Sequence, residues 1–313
     1  SAPRSRSAGG SQNAHPAKTV KPQASSRITY PTSGNFGLEL ALRGADRAGQ
    51  AYAHSDLGFA CRRLGRYRDA ATHLEAALCL FRELDDLPGQ AYSLGNLGNV
   101  HSARGRYQEA IDFQKQSLAL WQALRDLLGQ ATSLLNLGHT YRSIGQYDAA
   151  ITALQESLGI WAQRGDRRGR ATSLGILGIL HRELGRLDKA IVCHQESLSI
   201  SRELGDLRTE ALSLNDLASV HARLGHTQEA LGLLRESLAL SRQIGYGAGQ
   251  MRTLRDLGDT LLAAGDRRQA RAAWQEALDI SLTLETSDND ELITRLGIPP
   301  PLPASAERPD LHA

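Results

Sequence analysis

The sequence predicts an all-α fold, a right-handed superhelical solenoid of helix-turn-helix repeats, from two observations. One 40-residue pattern occurs six times in succession without insertion or deletion, and each copy holds two segments with the apolar spacing of amphipathic helices. The register is visible in a leucine column at Leu57, Leu97, Leu137, Leu177, Leu217 and Leu257 and a glycine column at Gly65, Gly105, Gly145, Gly185, Gly225 and Gly265. Because one amphipathic helix pair cannot bury its apolar faces alone, the copies are expected to stack side by side.

The first helix of each copy carries an apolar stripe interrupted by a small residue. In the second copy this helix is predicted from about Gln90 to Arg104, with Leu94, Leu97 and Gly98 on one face. The small residue is expected to let a neighbouring helix approach closely, and it recurs as Gly58, Gly138, Gly178 and Gly258, with Ala218 as the exception. Gly105 is expected to end the helix with a positive φ angle.

The second helix of the same copy is predicted from about Tyr107 to Leu124, with Ala110, Phe113 and Leu118 facing the first helix. Asp126 follows in the turn. One column near the end of the second helices reads Phe81, Trp121, Trp161, Ser201, Ser241 and Ser281. We attribute its aromatic members to packing between neighbouring copies, and a docking strip on the convex face is the alternative.

The repeats set the expected domain boundaries. Residues 1–34 are expected to form a disordered basic tail, 35–48 a half-repeat helix, 49–288 six repeat units, 289–297 a capping helix and 298–313 a Pro-rich disordered tail. In the capping helix, Leu292, Ile293 and Leu296 are expected to cover the end of the core. The chain begins with Ser1 rather than Met, so we expect it to be a segment of a longer polypeptide or a processed product.

Charge, cysteine content and hydropathy exclude several classes of function. The five basic residues of the first 38 positions have no acidic neighbour, which leaves the repeats slightly acidic, and we therefore expect no nucleic-acid contact by the array. No apolar run is long enough to span a membrane. Cys61, Cys79 and Cys193 are interpreted as reduced, buried side chains of a cytoplasmic protein.

No familiar catalytic motif is present, so we expect neither an enzyme nor a cofactor. His101, His181 and His221 share one column with Cys61 and Tyr141. Equivalent positions on stacked helix pairs lie roughly 8–10 Å apart or more, whereas metal ligands lie about 2 Å from one ion. These side chains are therefore interpreted as packing residues, and no metal site is expected. The adjacent Cys193 and His194 point to different helix faces, which argues against a nucleophilic pair.

The pattern resembles the tetratricopeptide repeat (TPR). The resemblance rests on the small residue after Leu97, the Gly-x-Tyr turn from Gly105 to Tyr107, and Ala110. The sequence departs from the family motif at Leu94, where an aromatic residue is usual, and in lacking the closing proline. The 40-residue period is similar to that of the Pins/LGN polarity adaptors and of the C-terminal arrays of bacterial STAND or AfsR-like regulators.

The resemblance implies that the first helices line a concave groove. Polar and aromatic side chains beside the apolar stripe then become candidates for binding a protein or peptide, because asparagine amides pair with a peptide backbone and tyrosine gives rigid contact area. The candidates are Tyr52, Asp56, Phe59, Arg62, Tyr92, Asn96, Asn99, Asn136, His139, Arg142 and Arg182. Gly95, Thr172 and Ile176 stand where chaperone-tail binders have cations, so binding of a chaperone tail is disfavoured.

The sequence therefore predicts a non-enzymatic interaction module. Its groove is expected to bind a peptide or protein segment, either of another protein or of another domain of the same polypeptide. The alternative is the sensor region of a larger bacterial STAND or AfsR-like regulator. The sequence gives no prediction of the oligomeric state.

Overall fold

The computed structural model describes residues 46–284 and 289–297, and all secondary structure in these two ranges is helical. The predicted tails at 1–34 and 298–313 lie outside the described residues. The same is true of residues 35–45 of the predicted half-repeat helix, whereas residues 47 and 48 belong to the first described helix.

The helices alternate between a first and a second member of each pair. In chain order they are α1 (Arg47–Arg63), α2 (Tyr67–Glu83), α3 (Leu87–Ala103), α4 (Tyr107–Ala123), α5 (Leu127–Ser143), α6 (Tyr147–Arg164), α7 (Arg167–Glu183), α8 (Leu187–Leu204), α9 (Leu207–Arg223), α10 (Thr227–Gln243), α11 (Gly247–Ala263), α12 (Arg267–Thr283) and α13 (Asn289–Leu296). The predicted all-α solenoid of helix pairs is confirmed.

Five of the six described first helices begin after a capping aspartate, and α11, which follows Tyr246 without a side-chain cap, is the exception. Helix α3 begins at Leu87 rather than near Gln90, and Asp86 Oδ1 accepts a hydrogen bond from the Gly89 amide at 2.9 Å. The same capping bond recurs at Asp46, Asp126, Asp166 and Asp206. The aspartate interpreted as a turn residue is thus the N-cap of the following helix, where its side chain satisfies an otherwise unpaired amide.

Glycine ends a helix at one recurring spacing of the repeat and permits a close helix contact at another, as predicted from the sequence. Gly105 follows α3 with φ +73°, as expected for the residue that ends the helix. Inside α5, a Cβ at Gly138 would lie 2.7 Å from Leu154 Cγ, so the small residue does permit close approach of the paired helix α6. Leu154 is fully buried.

At three junctions between repeats, an aromatic side chain packs against a glycine of the next repeat. A Cβ at Gly129 would lie 2.2 Å from the ring of Trp121, and the pairs Phe81 with Gly89 and Trp161 with Gly169 repeat this arrangement. At the next junction Ser201 replaces the aromatic residue and Thr209 replaces the glycine. The aromatic column therefore packs between neighbouring repeats and does not form a convex strip.

Buried serines connect three successive helices. Ser117 Oγ of α4 donates to the carbonyl oxygen of Ala91 in α3 at 2.8 Å and lies 3.3 Å from Ser133 Oγ of α5. Ser157, Ser197 and Ser237 repeat the arrangement. These bonds satisfy buried hydroxyl groups and fix each pair against the next.

The first helices form the inner layer of the array. Every helix packs against its neighbours in sequence, and successive first helices also contact each other. Because the first helices approach one another more closely, the array curves toward them, and their exposed residues line the concave face. Helix α13 closes the far end, where Leu292 is 1% exposed and Leu296 is 4% exposed.

The cysteines are free thiols in this structure, but they are not all buried. Cys61 and Cys193 are buried, and burial raises the pKa of Cys193 to about 11. Cys79 is exposed, which corrects the prediction of three buried cysteines. Its position on the outer helix α2 leaves it outside the interface with α1.

Candidate functional site

A cavity of about 430 Å³ opens on the concave face between α1, α3 and α5. Six of the eleven predicted groove residues line it: Phe59, Arg62, Tyr92, Asn96, Asn99 and Asn136. Residues from three successive first helices thus meet in one depression. We refer to this depression, with its lining residues, as the groove pocket.

Aromatic and apolar side chains form much of the wall of the groove pocket. Phe59 and Trp121 are half-buried, whereas Tyr92 is 43% exposed and Leu128 is 45% exposed. Burial raises the pKa of the Tyr92 hydroxyl, and the nearby Asp56 raises it further. The wall therefore offers rigid apolar surface together with a neutral phenol.

Arg62 contributes the cationic group of the groove pocket. Its guanidinium carbon lies 5.2 Å from the centre of the Phe59 ring, within the range of a cation–π contact. Its Nε is buried and has no hydrogen-bond partner. Burial lowers the pKa of Arg62, and the group nevertheless stays protonated near neutrality.

The three asparagines differ in what they can offer a ligand. Asn96 is only 7% exposed, and its Nδ2 donates to the Tyr92 carbonyl oxygen at 3.0 Å. Asn99 Oδ1 accepts from Gln114 Nε2 at 3.3 Å, which leaves the Asn99 amide hydrogens available. Asn136 is half-buried, and its side chain makes no hydrogen bond among the described residues. Asn136 is thus the most available amide.

The other five predicted residues lie outside the groove pocket. The Tyr52 hydroxyl donates to Asp86 Oδ2 at 3.0 Å, and Arg142 Nε lies 3.1 Å from Glu183 Oε1. Arg182 donates to Ser219. Partial burial raises the pKa of Asp56, and burial together with Arg142 lowers the pKa of His139. Tyr52, Arg142 and Arg182 therefore link neighbouring repeats, while partner binding by any of these five residues stays a prediction.

Sequence reasoning missed part of the lining. Trp121, Asp126, Leu128 and Thr132 also face the groove pocket. The prediction that Trp121 packs between repeats is confirmed, but the half-buried ring also lines the groove pocket. The signal that could have revealed its position is the glycine at 129, eight residues further on, because the ring packs against this glycine and both residues line the groove pocket.

The concave face of the last two repeats is occupied by its own ion pairs. Asp216 is paired with Arg252, and Asn215 Nδ2 donates to Asp256 Oδ2 at 3.1 Å. From α13, Arg295 donates to both carboxylate oxygens of Asp259 at 2.8 and 2.9 Å. The charged groups at this end are paired with one another, and among the groups named only the buried Asn215 Oδ1 has no partner among the described residues.

Among residues 46–284 and 289–297, no group of three or more His, Cys, Asp or Glu side chains is arranged to hold a metal ion. Within the same ranges, no helix has the length and apolar character needed to cross a membrane.

Three consecutive stretches of the chain, residues 49–123, 129–203 and 209–283, match the tetratricopeptide repeat family model. The chain belongs to the tetratricopeptide repeat family. Each matched stretch of this TPR protein contains two helix pairs. No curated protein sequence matches the chain significantly.

Solved TPR structures share its architecture. BtubC (BKLC) from P. vanneervenii is 19% identical with a TM-score of 0.57 over 72% of this chain and 91% of that one. The apo form of the quorum sensor NprR from B. thuringiensis is 14% identical with a TM-score of 0.59 over 85% and 75%. A STAND protein with a TPR sensor from Pyrococcus horikoshii is 15% identical with a TM-score of 0.60 over 80% and 38%. At these identities the likeness shows the fold.

Proposed function

We propose that this TPR array is a non-enzymatic binding module that receives an extended peptide segment in the groove pocket. The observation that carries this proposal is the meeting of three first helices at one cavity of about 430 Å³ with aromatic walls. An extended segment exposes backbone donors and acceptors at regular intervals. The available amides of Asn99 and Asn136 can pair with such a backbone, while Tyr92 and Trp121 pack against its side chains.

Direct peptide selection tests the proposal. Random dodecapeptides displayed on phage are selected on the immobilised full chain, and the affinity of enriched, fluorescein-labelled peptides is measured by fluorescence anisotropy. We expect Tyr92→Ala and Asn136→Ala each to weaken binding by about tenfold, as for loss of one central contact. Gln116→Ala, on an exposed position of the outer helix α4, is the control and should leave affinity unchanged.

Thermal melting of each variant separates lost contacts from lost folding. Asn136 is half-buried, and its side chain makes no hydrogen bond among the described residues, so its truncation should change stability by no more than about 0.5 kcal/mol. Asn96 is unsuitable for this test, because its amide is buried and bonded to the backbone. Enriched peptides that bind all three variants equally would contradict the groove assignment.

A second candidate function is that of a sensor region in a larger regulator. It is favoured by the likeness to the STAND protein with a TPR sensor, of which this chain covers 38%. The ligand of the groove would then be another domain of the same polypeptide. The gene that encodes the chain distinguishes the two candidates, because a sensor requires a phosphate-binding loop of the Gly-x-x-x-x-Gly-Lys-Ser/Thr type in the same reading frame.

We also propose a reducing, cytoplasmic setting. Cys61 and Cys193 are buried as free thiols, and thiols in this state are usual for proteins of reducing compartments. Thiol titration of protein purified without reductant should find the three cysteines of the chain unoxidised. A disulfide between chains through the exposed Cys79 would argue against this setting.

A further inference from the structure

The Arg62 side chain carries a charge for which the described residues supply no counter-charge. It makes no ion pair and no hydrogen bond among the described residues, and its Nε is buried without an acceptor. A buried donor without a partner is costly, and a cationic donor more so. The conformation is therefore suited to receive an acceptor from outside the array.

Two arginines at the equivalent position show the acceptors that this column takes: Arg182 donates to the hydroxyl of Ser219, and Arg142 takes a carboxylate. Arg142 occupies the equivalent position two repeats further on, and it pairs with Glu183, 41 residues ahead on the next first helix, at 3.1 Å. Counting 41 residues from Arg62 leads to Ala103, at the end of α3. The carboxylate that would satisfy Arg62 is thus replaced by a methyl group, and Ala103 is exposed.

The remaining charge of the groove pocket lies at its other rim. Besides Arg62, the only charged residue in its lining is Asp126, whose Oδ1 caps α5 by accepting from the Gly129 amide at 2.9 Å. Asp126 stands before the first residue of α5, whereas Arg62 lies in the last turn of α1. Because the first helices run in the same direction, the two charges lie at opposite rims, with Tyr92 between them.

We propose that the segment bound in the groove pocket carries an aspartate or glutamate whose carboxylate replaces the missing internal partner of Arg62, next to an apolar side chain that packs on Tyr92 and Trp121. This inference rests on the proposed function and adds the chemistry of the ligand. A guanidinium and a carboxylate form paired, charge-assisted hydrogen bonds. The amide hydrogens of Asn99 lie in the same pocket and can donate to the second carboxylate oxygen.

The peptide selection provides the first test. We expect aspartate or glutamate to be enriched at one position of the selected dodecapeptides, beside an apolar residue. On the full chain, replacing that residue by its amide should weaken binding by about tenfold or more, since charge-assisted bonds are lost. On Arg62→Gln the acidic and the amide peptide should bind with equal affinity.

Two further variants sharpen the test. Ala103→Glu restores the carboxylate that Arg142 has in Glu183, so it should occupy Arg62 internally and weaken the acidic peptide by about tenfold. Arg63→Gln is the matched control, because Arg63 is exposed in the same turn of α1 and lies outside the groove pocket. It removes the same charge and should leave the affinity unchanged. Circular dichroism melts verify that each variant is folded.

The outcomes separate this inference from the proposed function. Peptides that depend on Tyr92 but bind Arg62→Gln as well as the unmodified chain would overturn the carboxylate assignment and leave peptide binding in place. Enrichment of basic or uncharged peptides would overturn it as well. Peptides insensitive to both Tyr92 and Arg62, or no enrichment over a bare surface, would overturn both.

Discussion

Replacing Gly138 by alanine tests how closely the two helices of one repeat approach each other. An added Cβ would lie 2.7 Å from Leu154 Cγ and 3.0 Å from Leu154 Cδ2. Leu154 is fully buried and cannot move aside into solvent. Overpacking of this kind costs about 1–3 kcal/mol, whereas alanine in place of glycine inside a helix stabilises by roughly 0.5–1 kcal/mol. We therefore expect a net loss of up to about 2 kcal/mol.

Gly159→Ala is the matched control in the paired helix α6. A Cβ there would meet no atom within 4 Å, so only the gain in helix propensity remains. We expect a rise in Tm of about 1–4 °C for this variant and no rise for Gly138→Ala, using the usual scaling for a chain of this size. Circular dichroism melts and urea titrations measure both. A Gly138→Ala protein that gains as much stability as Gly159→Ala would refute the close-approach argument.

Three further predictions concern stability. Burial lowers the pKa of the fully buried His194, so below about pH 6.5 the unfolded chain binds more protons than the folded chain does. The free energy of unfolding should therefore decrease as the pH falls. In Tm measurements from about pH 7 to 5, His194→Leu should flatten this decrease, and an equal decrease in the variant would count against the contribution of His194. Asp166→Ala should cost about 0.5–2 kcal/mol in urea titrations because the Gly169 amide loses its cap, while Asp166→Asn should retain most of the stability. Leu292→Ala should lower the free energy of local unfolding of α13 by about 2–5 kcal/mol and speed the proteolytic removal of this helix. An unchanged cleavage rate would contradict the packing of Leu292 in the core.

The architecture could be predicted from the sequence because its signals are local and repeated. Leu97 and Gly105 indicate one helix and its end within a single copy, and five further copies show the same spacing. The small residue at Gly98 also recurs, as alanine at Ala218 and as glycine in the other copies. The capping aspartates were assigned to turns because a helix start is less clearly encoded than its apolar stripe. Each capping side chain accepts a hydrogen bond from a backbone amide three residues further along the chain. The spacing of hydrophobic residues does not reveal such a bond.

The candidate site was predicted less completely, because neighbouring repeats decide which polar groups remain free. Arg62, Arg142 and Arg182 occupy one column and were predicted together. In the structure the three arginines differ in the partner that the next first helix provides. Arg142 pairs with Glu183 and Arg182 donates to Ser219, whereas the position that matches Glu183 is alanine for Arg62. Partners 37 or 41 residues apart are visible only once the stacking of the repeats is known.

The pairing of Trp161 with Gly169 bears on how such an array can gain or lose units by recombination. Deleting residues 127–166 would place Trp121 against Gly169, a junction of the same kind as the one it replaces. Deleting residues 167–206 would instead place Trp161 against Thr209, whose side chain would occupy the space of the indole ring. Loss of a unit is therefore tolerated where the new junction again places the aromatic ring against a glycine, and it is not tolerated where the ring would meet Thr209.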